Sequence, residues 1–135
     1  MPSLDNMMLR QIIMDHYENP RNRELVEDDS YKKVNMDSET CIDNIDIQAK
    51  IENGVIEDIR FDGEACAICT SSTSIMTELL IGKTIDEARV IIENYMNMIF
   101  EKDYDPEILE EAIAFYNTHK QANRIKCATL GWKVI

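Results

Sequence analysis

Apolar residues recur along this chain first at helical spacing, then at every second position, then at helical spacing again. Between Leu4 and Tyr17, the residues Leu4, Met8, Leu9, Ile12, Ile13 and Tyr17 fall on one side of a helix, and Asn19-Pro20 ends the pattern. An acidic, turn-rich stretch around Glu27-Asp28-Asp29-Ser30 follows. Alternation then begins: Cys41, Asp43, Ile45, Ile47, Ala49 and Ile51 against Ile42, Asn44, Asp46, Gln48, Lys50 and Glu52, the pattern of a half-buried strand. Glu52-Asn53-Gly54 turns the chain into a second strand, Val55 to Asp62. A two-residue Asn53-Gly54 turn would set Ile47 opposite Arg60, an apolar face against a charged one. The pattern therefore predicts a three-residue loop that pairs Ile51 with Val55, Ile47 with Ile59 and Ile45 with Phe61. Continued outward, that register sets Asp43 opposite Gly63 and Cys41 opposite Ala65, beside Cys66.

Beyond Cys66 the pattern is helical, with Ile68, Ile75, Met76, Leu79 and Leu80 on one face and Gly82 at the end. Thr84 and Glu87 have capping-box spacing, and the helix they open carries a stripe of Ala88, Ile91, Ile92, Tyr95 and Ile99. Asp105-Pro106 starts another, with Ile108, Leu109, Ala112, Ile113 and Tyr116 inward. Asn123 is the expected cap of a last helix running to the C-terminus, with Cys127 in its first turns. No repeat, low-complexity segment or boundary divides the chain, so residues 1–135 read as a single domain.

Composition narrows the function classes. A chain of 135 residues, 44% hydrophobic, buries a core without disulfide staples. No charged leader with an apolar run opens it, and no stretch nears the roughly 18 apolar residues of a membrane span. The expected compartment is the cytoplasm, where a cluster of cysteines reads as metal-binding or catalytic. With 26 acidic against 14 basic residues, a net charge of −12 argues against nucleic acid or an anionic membrane as partner, but suits a basic protein.

All four cysteines lie in three stretches: Thr40-Cys41-Ile42-Asp43, Gly63-Glu64-Ala65-Cys66-Ala67-Ile68-Cys69 and Arg124-Ile125-Lys126-Cys127-Ala128-Thr129-Leu130. Three thiolates and a carboxylate make the four ligands of a tetrahedral Zn²⁺ site. The thiols are thus passive ligands, reactive sulfur carriers or disulfide partners. Cys66 falls where strand gives way to helix, and Cys127 near a helix N-terminus beside Arg124 and Lys126; both settings favour the thiolate, which is at once ligand and nucleophile. Asp43 brings a hard oxygen to a soft set, which suits an exchangeable site. Cys69 reads as a small buried residue, with an auxiliary thiol or a further ligand as the alternatives, because the β-α-β pattern of a thioredoxin-like dithiol is missing. His16 reads as locally packed, His119 as surface, and the eight methionines as core filler.

Cys41-x-Asp43, Gly63-x-x-Cys66 with the small-residue run Thr70 to Thr77, and Gly82-Lys83 resemble the IscU/NifU N-terminal family of iron-sulfur cluster assembly proteins. Ile13-Met14-Asp15-His16-Tyr17-Glu18-Asn19-Pro20-Arg21-Asn22 and Arg124 to Lys133 resemble its SufU branch. The resemblance implies an α+β, SufE/NifU-like fold, with a small antiparallel sheet of about three strands packed on several helices. It implies a metal site of Cys41, Asp43, Cys66 and Cys127, with Cys41 the sulfur acceptor, Cys127 a possible second thiol, and Arg124 with Lys126 binding the partner. The implied cofactor is Zn²⁺, alternatively a transient [2Fe-2S] cluster or iron. The implied partners are a pyridoxal-phosphate (SufS-like) cysteine desulfurase and a downstream cluster scaffold or apoprotein. On this reading the chain is a sulfur-transfer accessory protein rather than a stand-alone enzyme; a scaffold that itself assembles the cluster and a non-catalytic zinc domain are the alternatives. Lys126 stands where ISC-type scaffolds have histidine, which favours sulfur transfer. Ile42 stands where the family has glycine, and is expected to project from a polar face toward a partner.

Overall fold

Asn53 and Gly54 form a two-residue turn with φ of 53° and 76°, both left-handed, the signature of a type I′ turn whose twist suits antiparallel strands. The computed structural model, which describes residues 6–37, 42–118 and 122–134, joins through this turn β2 (Asn44–Glu52) and β3 (Val55–Glu64). The three-residue loop expected from the pattern is therefore not formed. Glu52 pairs with Val55 and Ile51 with Ile56; a bulge then passes over Glu57, and pairing resumes with Lys50 opposite Asp58, Ala49 opposite Ile59, Ile47 opposite Phe61 and Ile45 opposite Gly63. The bulge supplies the odd residue that the longer loop was expected to supply, so both apolar faces still agree. Arg60 lies across from Gln48, not from Ile47.

A third strand, β1 (Lys32–Asp37), pairs antiparallel with the other side of β2, giving the order β1-β2-β3. The periodicity did not announce it, because Lys-Lys-Val-Asn-Met-Asp has no buried face to alternate: an edge strand guarded by lysines needs none. Ile45, Ile47, Ile56, Ile59 and Phe61 form the core side of the sheet, and α2 (Ala67–Leu80) packs on β3.

Helix α2 is the hub, touching α1 (Asn6–Glu18), β3 and α4 (Ala122–Thr129), and eleven of its residues are buried. Six of those carry hydroxyls, Thr70 to Ser74 and Thr77, and small side chains let neighbouring elements come close. Ser71 Oγ donates back to the Ala67 carbonyl (2.6 Å), while Ser72 and Ser74 bond outward to other elements. Helix α3 (Ile85–Ile99) opens with the expected capping box of Thr84 and Glu87.

Three expectations are corrected. Of the inward stripe predicted for α1, Leu9 is buried and Ile12 and Ile13 half-buried, but Met8 and Tyr17 are exposed, as are Met7 and Met14, so these methionines are not core filler. The segment Pro106–Phe115 is a 3₁₀ helix kinked at Glu110 (φ 46°), and its buried row Leu109, Ala112, Phe115 has the period of three that such a helix imposes. The last helix stops at Thr129, with a 3₁₀ turn Gly131–Lys133 after it, and Asn123 lies inside α4 rather than capping it.

Candidate metal centre

Three separate parts of the chain deliver the candidate ligands. Asp43 immediately precedes β2, Cys66 is the N-cap residue of α2, and Cys127 lies in the second turn of α4. Hairpin register brings the first two together: Asn44 pairs with Glu64, so the chain before β2 runs beside the chain after β3. The Cys66 N–H donates to Asp43 Oδ1 at 2.7 Å, and Asp43 Oδ2 lies 3.8 Å from Cys66 Sγ. Cys66 Sγ in turn accepts the Cys69 N–H at 3.4 Å, a thiol in the role usually taken by a serine or aspartate cap.

One ligand atom each from Asp43, Cys66 and Cys127 lies within 4.8 Å of the other two. Tetrahedral zinc with S and O ligands needs separations of about 3.5–3.8 Å between donors, so two soft sulfurs and a hard oxygen at these distances fit the ion with small side-chain movement. Asp43 and Cys127 are buried and Cys66 half-buried, leaving the site one shielded side. Cys41, the fourth expected ligand, lies outside the described residues, as does His119. Cys69 is fully buried and is not among the converging groups, in keeping with a small core residue.

Cys127 lies in the early turns of α4, as expected. As the sixth residue, however, it stands beyond the first turn, in which free N–H groups act. What fixes it is a buried network that sequence reasoning did not find. The Ala128 carbonyl accepts both Tyr95 Oη (2.7 Å) and Ser72 Oγ (2.6 Å), and Trp132 Nε1 donates to Ser72 Oγ (2.9 Å). The Trp132 indole stacks on Tyr95 with centroids 3.8 Å apart. Burial pushes the Tyr95 phenol well above its ordinary pKa, against the bond from Ser72, so it stays a proton donor. Helices α2 and α3 thereby grip the peptide that follows Cys127. The only sequence signal was an aromatic with a polar tip in each buried run.

A second group, His16, Glu78 and Glu111, also converges. His16 is fully buried, with Nδ1 2.8 Å from Ser74 Oγ and Nε2 3.3 Å from Glu111 Oε1, and Arg21 Nε sits 3.5 Å from Glu78. This ion-paired cluster pins α1 to α2 and the 3₁₀ segment, a wider packing role than the local one expected. Arg124 and Lys126 are both exposed on α4, and Ile42, beside Asp43, is 68% exposed.

The chain and its fold are similar to known proteins. The family model described as the NifU-like N-terminal domain matches residues 8–135. The zinc-dependent sulfurtransferase SufU of Bacillus subtilis is 40% identical over 95% of this chain and 86% of its own length. The iron-sulfur cluster assembly scaffold protein IscU of Streptococcus pyogenes is 31% identical over 96% of this chain and 81% of its own. A crystal structure from Fervidobacterium islandicum, of a proposed iron-sulfur cluster assembly scaffold protein for the SUF system, superposes with a TM-score of 0.84 at 30% identity, over 96% of this chain and 95% of that one.

Proposed function

Because the chain belongs to the NifU-like N-terminal domain family, we propose that it serves iron-sulfur cluster assembly as a zinc-dependent sulfur-transfer protein, taking persulfide sulfur from a SufS-like cysteine desulfurase and passing it to a downstream scaffold or apoprotein. The observation that carries this reading is the convergence of Asp43, Cys66 and Cys127 within 4.8 Å. The similarity to SufU and Lys126 in place of the scaffold histidine support it over a cluster scaffold. Three described thiols with no disulfide among them suit a reducing cytoplasm, and no described helix is long and apolar enough to cross a membrane.

Asp43, Cys66 and Cys127 would hold the zinc, with Cys41 as the fourth ligand by family resemblance. When bound, the ion keeps its thiol ligands deprotonated and guards them from oxidation. The remaining chemistry belongs to the chain. The Cys41 thiolate attacks the sulfane sulfur of the partner's persulfide. The S–S bond to the partner's cysteine breaks, that cysteine leaves as a thiolate, and Cys41 carries the sulfur as a new persulfide with no net oxidation. Cys127, 2% exposed, would hold the ion rather than attack, and its burial supports that role. Arg124 and Lys126 face solvent where a docking partner reaches them.

The test is metal analysis together with desulfurase turnover. One zinc per chain, faster cysteine turnover by the desulfurase when the protein is added, and no stable cluster absorption after anaerobic reconstitution are the expected results. A stable [2Fe-2S] spectrum with no effect on turnover would overturn the reading in favour of the scaffold.

Ile42 gives a finer prediction. A 68% exposed isoleucine next to a metal ligand is an apolar contact waiting for a partner. Ile42→Gly is expected to retain its zinc while the concentration giving half-maximal stimulation of the desulfurase rises roughly fivefold, the equivalent of about 1 kcal/mol of lost apolar burial. Unchanged stimulation and unchanged zinc affinity would make the departure from the family glycine inconsequential.

A further inference from the structure

A cavity of about 290 Å³ opens between α1, the first turn of α2, the end of the 3₁₀ segment and α4. Its walls include Leu9, Ile13, Ile68 and Phe115, and two arginines line it, Arg10 from α1 and Arg124 from α4. Ile68 stands two residues beyond Cys66 and Arg124 three residues before Cys127, so the cavity is lined from the same two helices that carry those cysteines.

The charges decide what the occupant is. Carboxylates outnumber cations 26 to 14 in this chain, and Arg21, Arg23 and Arg60 each sit within 4 Å of one. Arg10 and Arg124 have no ion-pair partner among the described residues, although both line one partly apolar cavity. Two exposed arginines that line one partly apolar cavity and have no ion-pair partner among the described residues call for an anion, and their planar forks suit a carboxylate. Along α1, Met7 and Met14 lie on the same side as Arg10 at spacings of three and four and are 68% and 48% exposed, an adaptable apolar rim for a protein surface.

We propose that this cavity seats an acidic segment of the sulfur-donating partner, with Arg10 and Arg124 taking its carboxylate and the α1 methionines covering its flank. The proposal rests on the sulfur-transfer reading and adds to it where the partner is gripped, with Arg10 as a docking residue.

The test titrates the zinc-loaded full chain and its Arg10→Glu and Arg10→Lys variants against the purified desulfurase. For each, zinc content, melting temperature, half-saturating concentration and maximal turnover are measured. Arg10→Glu is expected to keep its zinc, to raise the half-saturating concentration at least tenfold and to leave the maximal rate near wild type; Arg10→Lys falls between the two, and added salt narrows the gap. If the wild-type chain accelerates the desulfurase and both variants match it in half-saturation, the dock is overturned while the sulfur-transfer reading stands. If Arg10→Glu fails to fold, Arg10→Lys alone decides, through a rise in half-saturation or none. A wild-type chain with no effect on the desulfurase overturns the functional reading, and the dock with it.

Discussion

Cys66→Ser is expected to purify as a folded protein without zinc, and to leave desulfurase turnover at its background rate. One side chain has two jobs here. Cys66 caps α2 through the Cys69 N–H, and it offers a sulfur 3.8 Å from Asp43 Oδ2. Serine is a better helix cap than cysteine, so the first job survives. The second does not: a neutral hydroxyl is shorter, harder and far less acidic than a thiol, and zinc affinity is expected to fall by more than about 100-fold, since even residues that merely orient zinc ligands are worth up to that much. Chelator competition measures the affinity. The accompanying signature is thermal: because zinc binds the native state, a chelator lowers the melting temperature of the wild-type chain but leaves Cys66→Ser unmoved. A variant holding one zinc with wild-type affinity would remove Cys66 from the ligand set.

Gly63→Ala is expected to cost about 3 kcal/mol, roughly 10 °C in melting temperature, and to weaken zinc binding although no ligand is touched. Gly63 adopts φ 137°, a conformation that L side chains rarely take, and a Cβ there would meet the Asn44 carbonyl oxygen at 2.4 Å and Ile45 Cα at 2.8 Å. Both obstacles are backbone and cannot swing away. Relief requires β2 and β3 to part at the end where Asn44 leads back to Asp43, and the 2.7 Å bond from the Cys66 N–H to Asp43 parts with them. Gly54→Ala is the control: its φ is also positive, at 76°, but nothing lies within 4 Å of an added Cβ, so only the conformational cost of about 1 kcal/mol applies and zinc binding stays intact. Equal zinc affinity in Gly63→Ala and wild type would uncouple the strand end from the site.

Much of the fold was legible because it depends on local periodicity. The α2 and α3 helices, the capping box at Thr84 and the facing apolar sides of the hairpin follow from spacing alone. The failures were equally physical. Parity of the apolar faces is satisfied by a long loop or by a short turn with a bulge, and the pattern has no means of choosing between them, so the pairing came out two residues off while the faces came out right. The 3₁₀ segment escaped because a period of 3.0 and one of 3.6 predict nearly the same apolar residues over ten positions. Met8 and Tyr17 were assigned inward because apolar character does not reveal whether anything lies opposite to cover it.

By itself, the sequence determined which side chains are candidates for the chemistry, Asp43, Cys66 and Cys127 among them, since thiols and a carboxylate are what they are in any conformation. It also determined the α+β class, through the order of its periodicities. Tertiary structure alone decided that those three meet within 4.8 Å, that Cys127 is held through the Ala128 carbonyl by Tyr95 and Ser72, and that Arg10 shares a cavity with Arg124. Each of those facts joins residues dozens of positions apart. Such contacts arise from how buried surfaces pack, which local pattern constrains only to the correct face.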